Sequence, residues 1–226
     1  MAKGPSKTEG SIFTESSSLA EGSSLAEGSS HIEGDSQKRR PSVAPEVIHS
    51  EIIARTNIFR VERRDLRFSN GVEVSHERLV GSENGAVLIV PMLDDNTVLM
   101  IREFATGMHR YELALPKGRI EPNEPLLEAA NREIMEEVGY GAHKLQHLTS
   151  FTVAPGYLSH ETHIVLAEDL YEERHEGDEP ESIEVVPWHL DALTELVAQQ
   201  ECTEARSIAA LFMVQALLAN RDKQSQ

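Results

Sequence analysis

Three glutamates, Glu133, Glu136 and Glu137, fall within five positions of one another and are followed by Gly139. Spacings of three and four place side chains on one face of a helix, so these carboxylates can point at a common volume. Carboxylate oxygens gathered in this way are the donors that hard divalent cations prefer. Like charges at these spacings oppose the helix by only roughly 0.2–0.5 kcal/mol per pair. The helix alone therefore favours an ordinary solvated charged face, and the residues around it must decide.

Extending the stretch gives GRIEPNEPLLEAANREIMEEVGY, residues 118–140. Gly118, Glu124, Arg132, Glu133, Glu136, Glu137 and Gly139 stand in it at fixed intervals. At ordinary residue usage, seven such identities coincide by chance roughly once in 10⁸ to 10⁹ starting positions. Each has a physical use. Gly118 permits a tight turn that brings a backbone carbonyl to an ion. Pro125 suits the first helical turn and Gly139 the C-terminal cap. Arg132 can hold a neighbouring carboxylate rigid through paired hydrogen bonds, although Glu128 one turn earlier offers it a plain helix pair.

This pattern resembles the Nudix box, with Tyr140 where a smaller aliphatic residue is usual. The resemblance implies a hydrolase that cleaves a nucleoside diphosphate linked to another group. It implies Mg²⁺, with Mn²⁺ as the alternative, on Glu133, Glu136, Glu137 and the backbone carbonyl of Lys117. Arg132 would orient Glu133 as part of the catalytic set, and Gly118, Glu124 and Gly139 would be structural. The likeness continues in YELALPKGRIEPNE (111–124), APGYLSHETHIVLAEDLY (154–171) and EGDEPESIEVVPW (176–188). In these stretches the chain is similar to bacterial ADP compounds hydrolases, close to ADP-ribose pyrophosphatases. Pro155, about fifteen residues after the box, matches the proline that marks ADP-sugar hydrolases in the family.

The implied substrates are ADP-ribose, NADH and diadenosine polyphosphates, split into AMP and a second phosphate. The alternatives are another nucleotide sugar or a capped nucleotide, or a non-catalytic module that binds an ADP ligand. Many relatives carry a catalytic glutamate in the loop after the proline. Here His160 is nearest that slot with Glu161 beside it, and Glu179 is a second loop candidate. Candidates for the substrate pocket are Arg102, Glu112 and Lys117, together with Arg60 and Glu103.

These residues need elements to hold them. FRVERRDLRF (59–68) and VEVSHERLV (72–80) flank Ser69-Asn70-Gly71, a hairpin signature. AVLIVPML (86–93) and TVLMIREF (97–104) flank Asp94-Asp95-Asn96 and predict a second, more buried hairpin. Apolar residues at 126, 127, 130, 134 and 138 make a helical stripe under the glutamates. Strands are expected at 145–154, 162–170 and 183–188, and helices at 189–199 and 203–220. Strands on both sides of a helix predict an α/β fold with a mixed β-sheet sandwiched by helices, preceded by an N-terminal antiparallel β extension. The family resemblance makes this the Nudix fold over 81–226, with 47–80 as the extension and a contributor to a homodimer interface.

Residues 1–46 repeat a Ser- and Gly-rich six-residue unit (SSLAEG, SSLAEG, SSHIEG) that cannot bury a core, and are expected to be a disordered tail. They carry five basic against seven acidic side chains, so −15 of the net charge of −17 falls beyond Glu46. Such a surface repels phosphate backbones, which argues against a nucleic-acid partner. No apolar run nears the roughly 20 residues of a bilayer span, and the N-terminus lacks a secretory h-region. A cytoplasmic protein without a membrane partner is expected. The single cysteine, Cys202, leaves no disulfide or cysteine-rich zinc cage.

Overall fold

The structure, a computed structural model, describes residues 43–82, 84–177 and 179–224. The expected tail at 1–46 lies outside the described residues as far as position 42. The elements in chain order are β1 (Glu46–Arg55), β2 (Arg60–Arg67), β3 (Glu73–Val80), β4 (Ala86–Pro91), β5 (Thr97–Ala105), β6 (Arg110–Ala114) and β7 (Lys117–Arg119). Helix α1 (Leu126–Glu137) follows, then β8 (Tyr140–Thr152), the two-residue β9 (Leu158–Ser159), β10 (Glu161–Glu172) and β11 (Glu184–His189). A 3₁₀ turn at Leu190–Ala192, the single-turn α2 (Leu193–Leu196) and α3 (Ala205–Gln224) complete the chain.

The strands form three sheets. β1, β2, β3 and β9 make one; β7, β4, β10 and β8 a second; β11, β5 and β6 a third. β4 and β10 run parallel within an otherwise antiparallel second sheet. Along β4 the side chains alternate between two cores. Val87 and Ile89 meet Ala129, Ala130, Ile134 and Val138 of the α1 segment, while Leu88 and Val90 meet Leu211 and Val214 of α3. Period-two alternation thus seats a helical layer on each face, the mixed-sheet α/β sandwich that was expected. Among the described residues no helix is long and apolar enough to cross a membrane.

Several expectations are corrected. β4 and β5 do not form a hairpin: past Asp94-Asp95-Asn96 they share only the isolated bridge Met92–Val98. A strand has two edges, and those of β4 are taken by β7 and β10, those of β5 by β6 and β11. The helix expected at 189–199 is broken into a 3₁₀ turn and one α turn. Gln215 and Trp188 side chains donate to the Leu190 and Ala192 carbonyls that a continuous helix would use. β6 and β7 lie in stretches with no predicted strand, whereas β1 falls within the N-terminal β extension expected at 47–80. The 60–67/73–80 hairpin forms with Gly71 at φ +85°, a conformation that favours glycine.

Candidate active site

Helix α1 begins after Pro125, whose extended backbone (φ −64°, ψ 139°) sets the entry. It ends where Gly139, at φ +83°, returns its N–H to the Ile134 carbonyl at 2.9 Å. Between these points the apolar stripe is pressed onto β4, β8 and β7. The glutamates therefore lie against the sheet rather than in water. Glu133 and Glu137 are 8% and 3% exposed, which excludes the solvated-face reading for both.

Gly118 works differently from the expected turn. It lies within β7, and a Cβ built on it would stand 1.9–2.1 Å from the carboxyl atoms of Glu133. Glycine here makes a notch that the Glu133 carboxylate fills. Its neighbour Lys117 donates its backbone N–H to Glu137 Oε2 at 3.0 Å. The Lys117 carbonyl, the expected backbone ligand, is carried by the same three-residue strand as the notch.

Arg132 ties the loop to the helix. Its Nε and Nη2 donate to the two Glu124 oxygens at 2.8 and 3.1 Å, and Nη1 donates to Glu133 at 2.9 Å and Glu136 at 3.0 Å. Nη2 also reaches the Arg119 carbonyl at 3.0 Å. Glu124 accepts the Glu121 N–H as well, at 2.9 Å. The Arg132 hydrogen bonds hold the Glu124 carboxyl below its usual range. The helix pair with Glu128 considered from spacing is displaced by this set.

Burial pushes Glu133 up to about 7, against the pull of Arg132 and with the charges of Glu136 and Glu179 adding to the rise. Burial likewise pushes Glu137 up to about 8, opposed by the charge and backbone hydrogen bond of Lys117. Among the described residues no three acidic, histidine or cysteine groups form a ready ligating cluster. Glu136 turns to Arg132, and Glu137 to the Lys117 amide. The donor set fits a hard divalent cation all the same. Buried carboxylates held above their normal pKa are groups that a nearby cation would return to the charged form.

The remaining candidates are dispersed. Lys117 Nζ pairs with Glu103 at 2.9 Å and borders a cleft of about 500 Å³ lined by Phe104, Met108, Glu112 and Glu204. Glu112 is buried in that cleft's wall. Desolvation opposes its charge, but hydrogen bonds from Arg110 and Thr203 outweigh it and lower its pKa. Arg102 is engaged elsewhere, in ion pairs with Glu184 (2.6 Å) and Glu201 (2.8 Å), so it sits as a strand-end clamp between β5, β11 and the turn before α3. Arg60 donates to the Gly81 carbonyl at 3.3 Å, in the first sheet. Glu161 opens β10 and lines a different cavity, of about 370 Å³, with Pro155, His160 and His163. Of the two loop acids it is Glu179 whose charge acts on Glu133.

Arg174 and Tyr111, which touch the same region, carry no local sequence signal. Their partners lie 36 and 70 positions away, beyond any local pattern. One hint was present: α1 has no basic residue in its last turn, where a cation is favoured.

Comparison with known proteins places this geometry. A family model described as the NUDIX domain matches residues 83–212, and one described as the NudE-type Nudix hydrolase N-terminal domain matches residues 45–78. The chain is 45% identical over 179 residues to ADP compounds hydrolase NudE of Escherichia coli (strain K12), covering 79% of this chain and 96% of that one. It is 30% identical to ADP-ribose pyrophosphatase of Bacillus subtilis (strain 168), over 77% of this chain and 94% of the relative. Among solved structures, a crystal structure of ADP compounds hydrolase superposes with a TM-score of 0.74 at 43% identity, covering 80% of this chain and 98% of that one.

Proposed function

The chain belongs to the Nudix family, and from that premise we propose that it is a pyrophosphatase of ADP-linked compounds. Its substrates are ADP-ribose, NADH and diadenosine polyphosphates, hydrolysed to AMP and a second phosphate. The observation that carries the reading is the pair of buried carboxylates, Glu133 in the Gly118 notch and Glu137 on the Lys117 amide, with Glu136 beside them. The likeness to a relative named ADP compounds hydrolase supports the substrate class.

Mg²⁺, with Mn²⁺ as a substitute, would be held by Glu133, Glu136, Glu137 and the Lys117 carbonyl, and when bound it neutralises the diphosphate and acidifies a water. The chain's own residues do the rest. Arg132 fixes the Glu133 and Glu136 carboxylates in direction, so little reorganisation is needed when substrate arrives. The cleft beside Lys117 receives the substrate, and the Lys117 ammonium, shared with Glu103, lines it and meets the phosphates. Glu179 takes the proton of the attacking water. Oxygen adds to phosphorus as the anhydride P–O bond breaks, and the leaving phosphate carries the electron pair.

The reading extends to assembly. β1 is the edge of its sheet and exposes Val47, Ile48, Ile52 and Ile53, a surface suited to a two-fold contact with a second copy. A homodimer in the cytoplasm, with no nucleic-acid or membrane partner, is part of this proposal.

The test is AMP release from ADP-ribose, NADH and diadenosine polyphosphates by purified protein with Mg²⁺, followed by chromatography. Glu137→Gln is expected to lower kcat by at least about a hundredfold, beyond what loss of a supporting residue around a metal costs. Unchanged turnover in that variant would remove the assigned mechanism, and silence across the whole panel would remove the substrate class.

A further inference from the structure

Beyond β10 the chain turns back along the C-terminal end of α1. The Glu173 N–H meets the Gly139 carbonyl at 3.2 Å and the His175 N–H meets the Met135 carbonyl at 3.1 Å. Between them, Arg174 Nη2 donates to the Val138 carbonyl at 3.1 Å, and Nη1 approaches the Glu136 carbonyl at 3.5 Å. The last carbonyls of a helix lack intrahelical donors and carry partial negative charge. With no basic residue in its own last turn, α1 receives that cation from Arg174. A Cβ at Gly139 would stand 2.6–2.9 Å from the Arg174 guanidinium, so the glycine leaves the space the arginine occupies.

A few residues on, a Cβ at Gly177 would stand 2.4 Å from Glu179 Oε2 and 3.7 Å from Glu136 Cβ. Glu179 therefore folds back over Gly177, beside the catalytic helix. On its far side the chain is pinned again. Tyr111 of β6 donates its hydroxyl to Glu181 Oε1 at 2.6 Å, with its ring edge-on to Phe104 at 5.5 Å. The two anchors bracket Glu179, five residues before it and two after it. They tie the segment to two separate elements, Arg174 to the end of α1 and Glu181 to β6.

We propose that Arg174 and Tyr111 are positioning residues that hold Glu179 against the catalytic glutamates from both sides. This rests on the reading of Glu179 as the group that takes the proton from water. The effect of Glu179 on the ionisation of Glu133 is consistent with its being held close. Neither anchor needs to touch substrate. Each removes freedom from a carboxylate whose reach decides the rate, and small misplacements of such groups are costly.

The experiment measures kcat and KM for ADP-ribose with Mg²⁺ in Tyr111→Phe, Arg174→Ala, Arg174→Lys, Glu179→Gln and the double variants with Glu179→Gln. Tyr111→Phe and Arg174→Ala are each expected to lower kcat about three- to thirtyfold with KM nearly unchanged, as befits loss of one hydrogen-bonded anchor. Arg174→Lys restores part of the loss. In the Glu179→Gln background neither anchor variant costs anything more, because residues that act through one group are not additive. Hydrogen exchange of the 173–183 peptide in metal-free protein should rise in both anchor variants. Effects that multiply with Glu179→Gln, or a full rate in both single variants, overturn the positioning role while leaving the proton acceptor in place. A full rate in Glu179→Gln itself overturns the proton-acceptor reading, a different result.

Discussion

At the scale of residues, the site is a problem of charge placed in a dry environment. Glu133 and Glu137 lie where desolvation favours the protonated form, near 7 and 8 respectively. Their unfolded values are near 4.5. Between those limits the metal-free folded protein holds protons that the unfolded chain has released. Their contribution to stability is complete below about 4.5 and is lost as pH rises through about 7 to 8. A divalent cation requires the deprotonated carboxylates and stabilises them. Millimolar Mg²⁺ is therefore expected to raise Tm, and by more at pH 8 than at pH 5, in differential scanning fluorimetry. An equal gain at both pH values would detach the effect from these two groups. The Gly118 notch gives a second expectation. Gly118→Ala inserts a methyl into the space of the Glu133 carboxyl, so both Tm and Mg²⁺-dependent turnover should fall. A variant that keeps full activity would show that the notch is not required.

At the scale of elements, short pieces are stapled together by single side chains. Arg132 joins the loop after β7 to α1, Arg102 joins β5 to β11, and Arg221 of α3 reaches Glu168 of β10 at 2.8 Å. The first sheet has its own staple. Glu62 of β2 is nearly buried and accepts from Ser50 of β1 at 2.5 Å and Arg78 of β3 at 2.5 Å, with Arg64 also in contact. The Ser50 hydrogen bond, helped by the two arginines, lowers its pKa to about 2 despite desolvation. For an acid with a lowered pKa, the contribution is present above the unfolded value of 4.5 and disappears as pH falls toward about 2. Glu62→Gln should thus be less stable than the parent at pH 7, with the gap closing between about pH 4.5 and 2. Urea unfolding across that range checks it, and a gap independent of pH would place the effect elsewhere.

At the scale of the molecule, two cores share one set of strands, and the first sheet stands apart with an open edge. β1 is exposed at each of its ten positions, an unusual state for a strand carrying four large aliphatic residues. If the proposed dimer forms through β1, Ile48→Lys with Ile52→Lys is expected to convert it to a monomer in light scattering, because the introduced charges would be desolvated in the contact. A double variant that remains dimeric would move the interface away from β1.

The box was readable because its information is local. Residues three and four apart share a helix face whatever the fold, so Glu133, Glu136, Glu137 and Arg132 announced themselves by spacing. The same locality exposed the hairpin at Ser69-Asn70-Gly71 and the helical stripe beneath the glutamates. Burial is not local. Whether those carboxylates faced water or β7 depended on where the apolar stripe docked, and only the folded chain shows Gly118 as a notch rather than a turn. Likewise β4 and β5 read as a hairpin because adjacent strands usually pair. Both edges of each strand were filled by other partners instead: β5 by the next strand, β6, and the distant β11, and β4 by β7 and β10. The sequence by itself determined the donors and their order along one helix. The tertiary structure decided which were dry, that Arg132 grips Glu133 and Glu136 together with Glu124, and that Arg174 meets Val138 and Tyr111 meets Glu181 across 36 and 70 positions, because such contacts arise from packing rather than spacing.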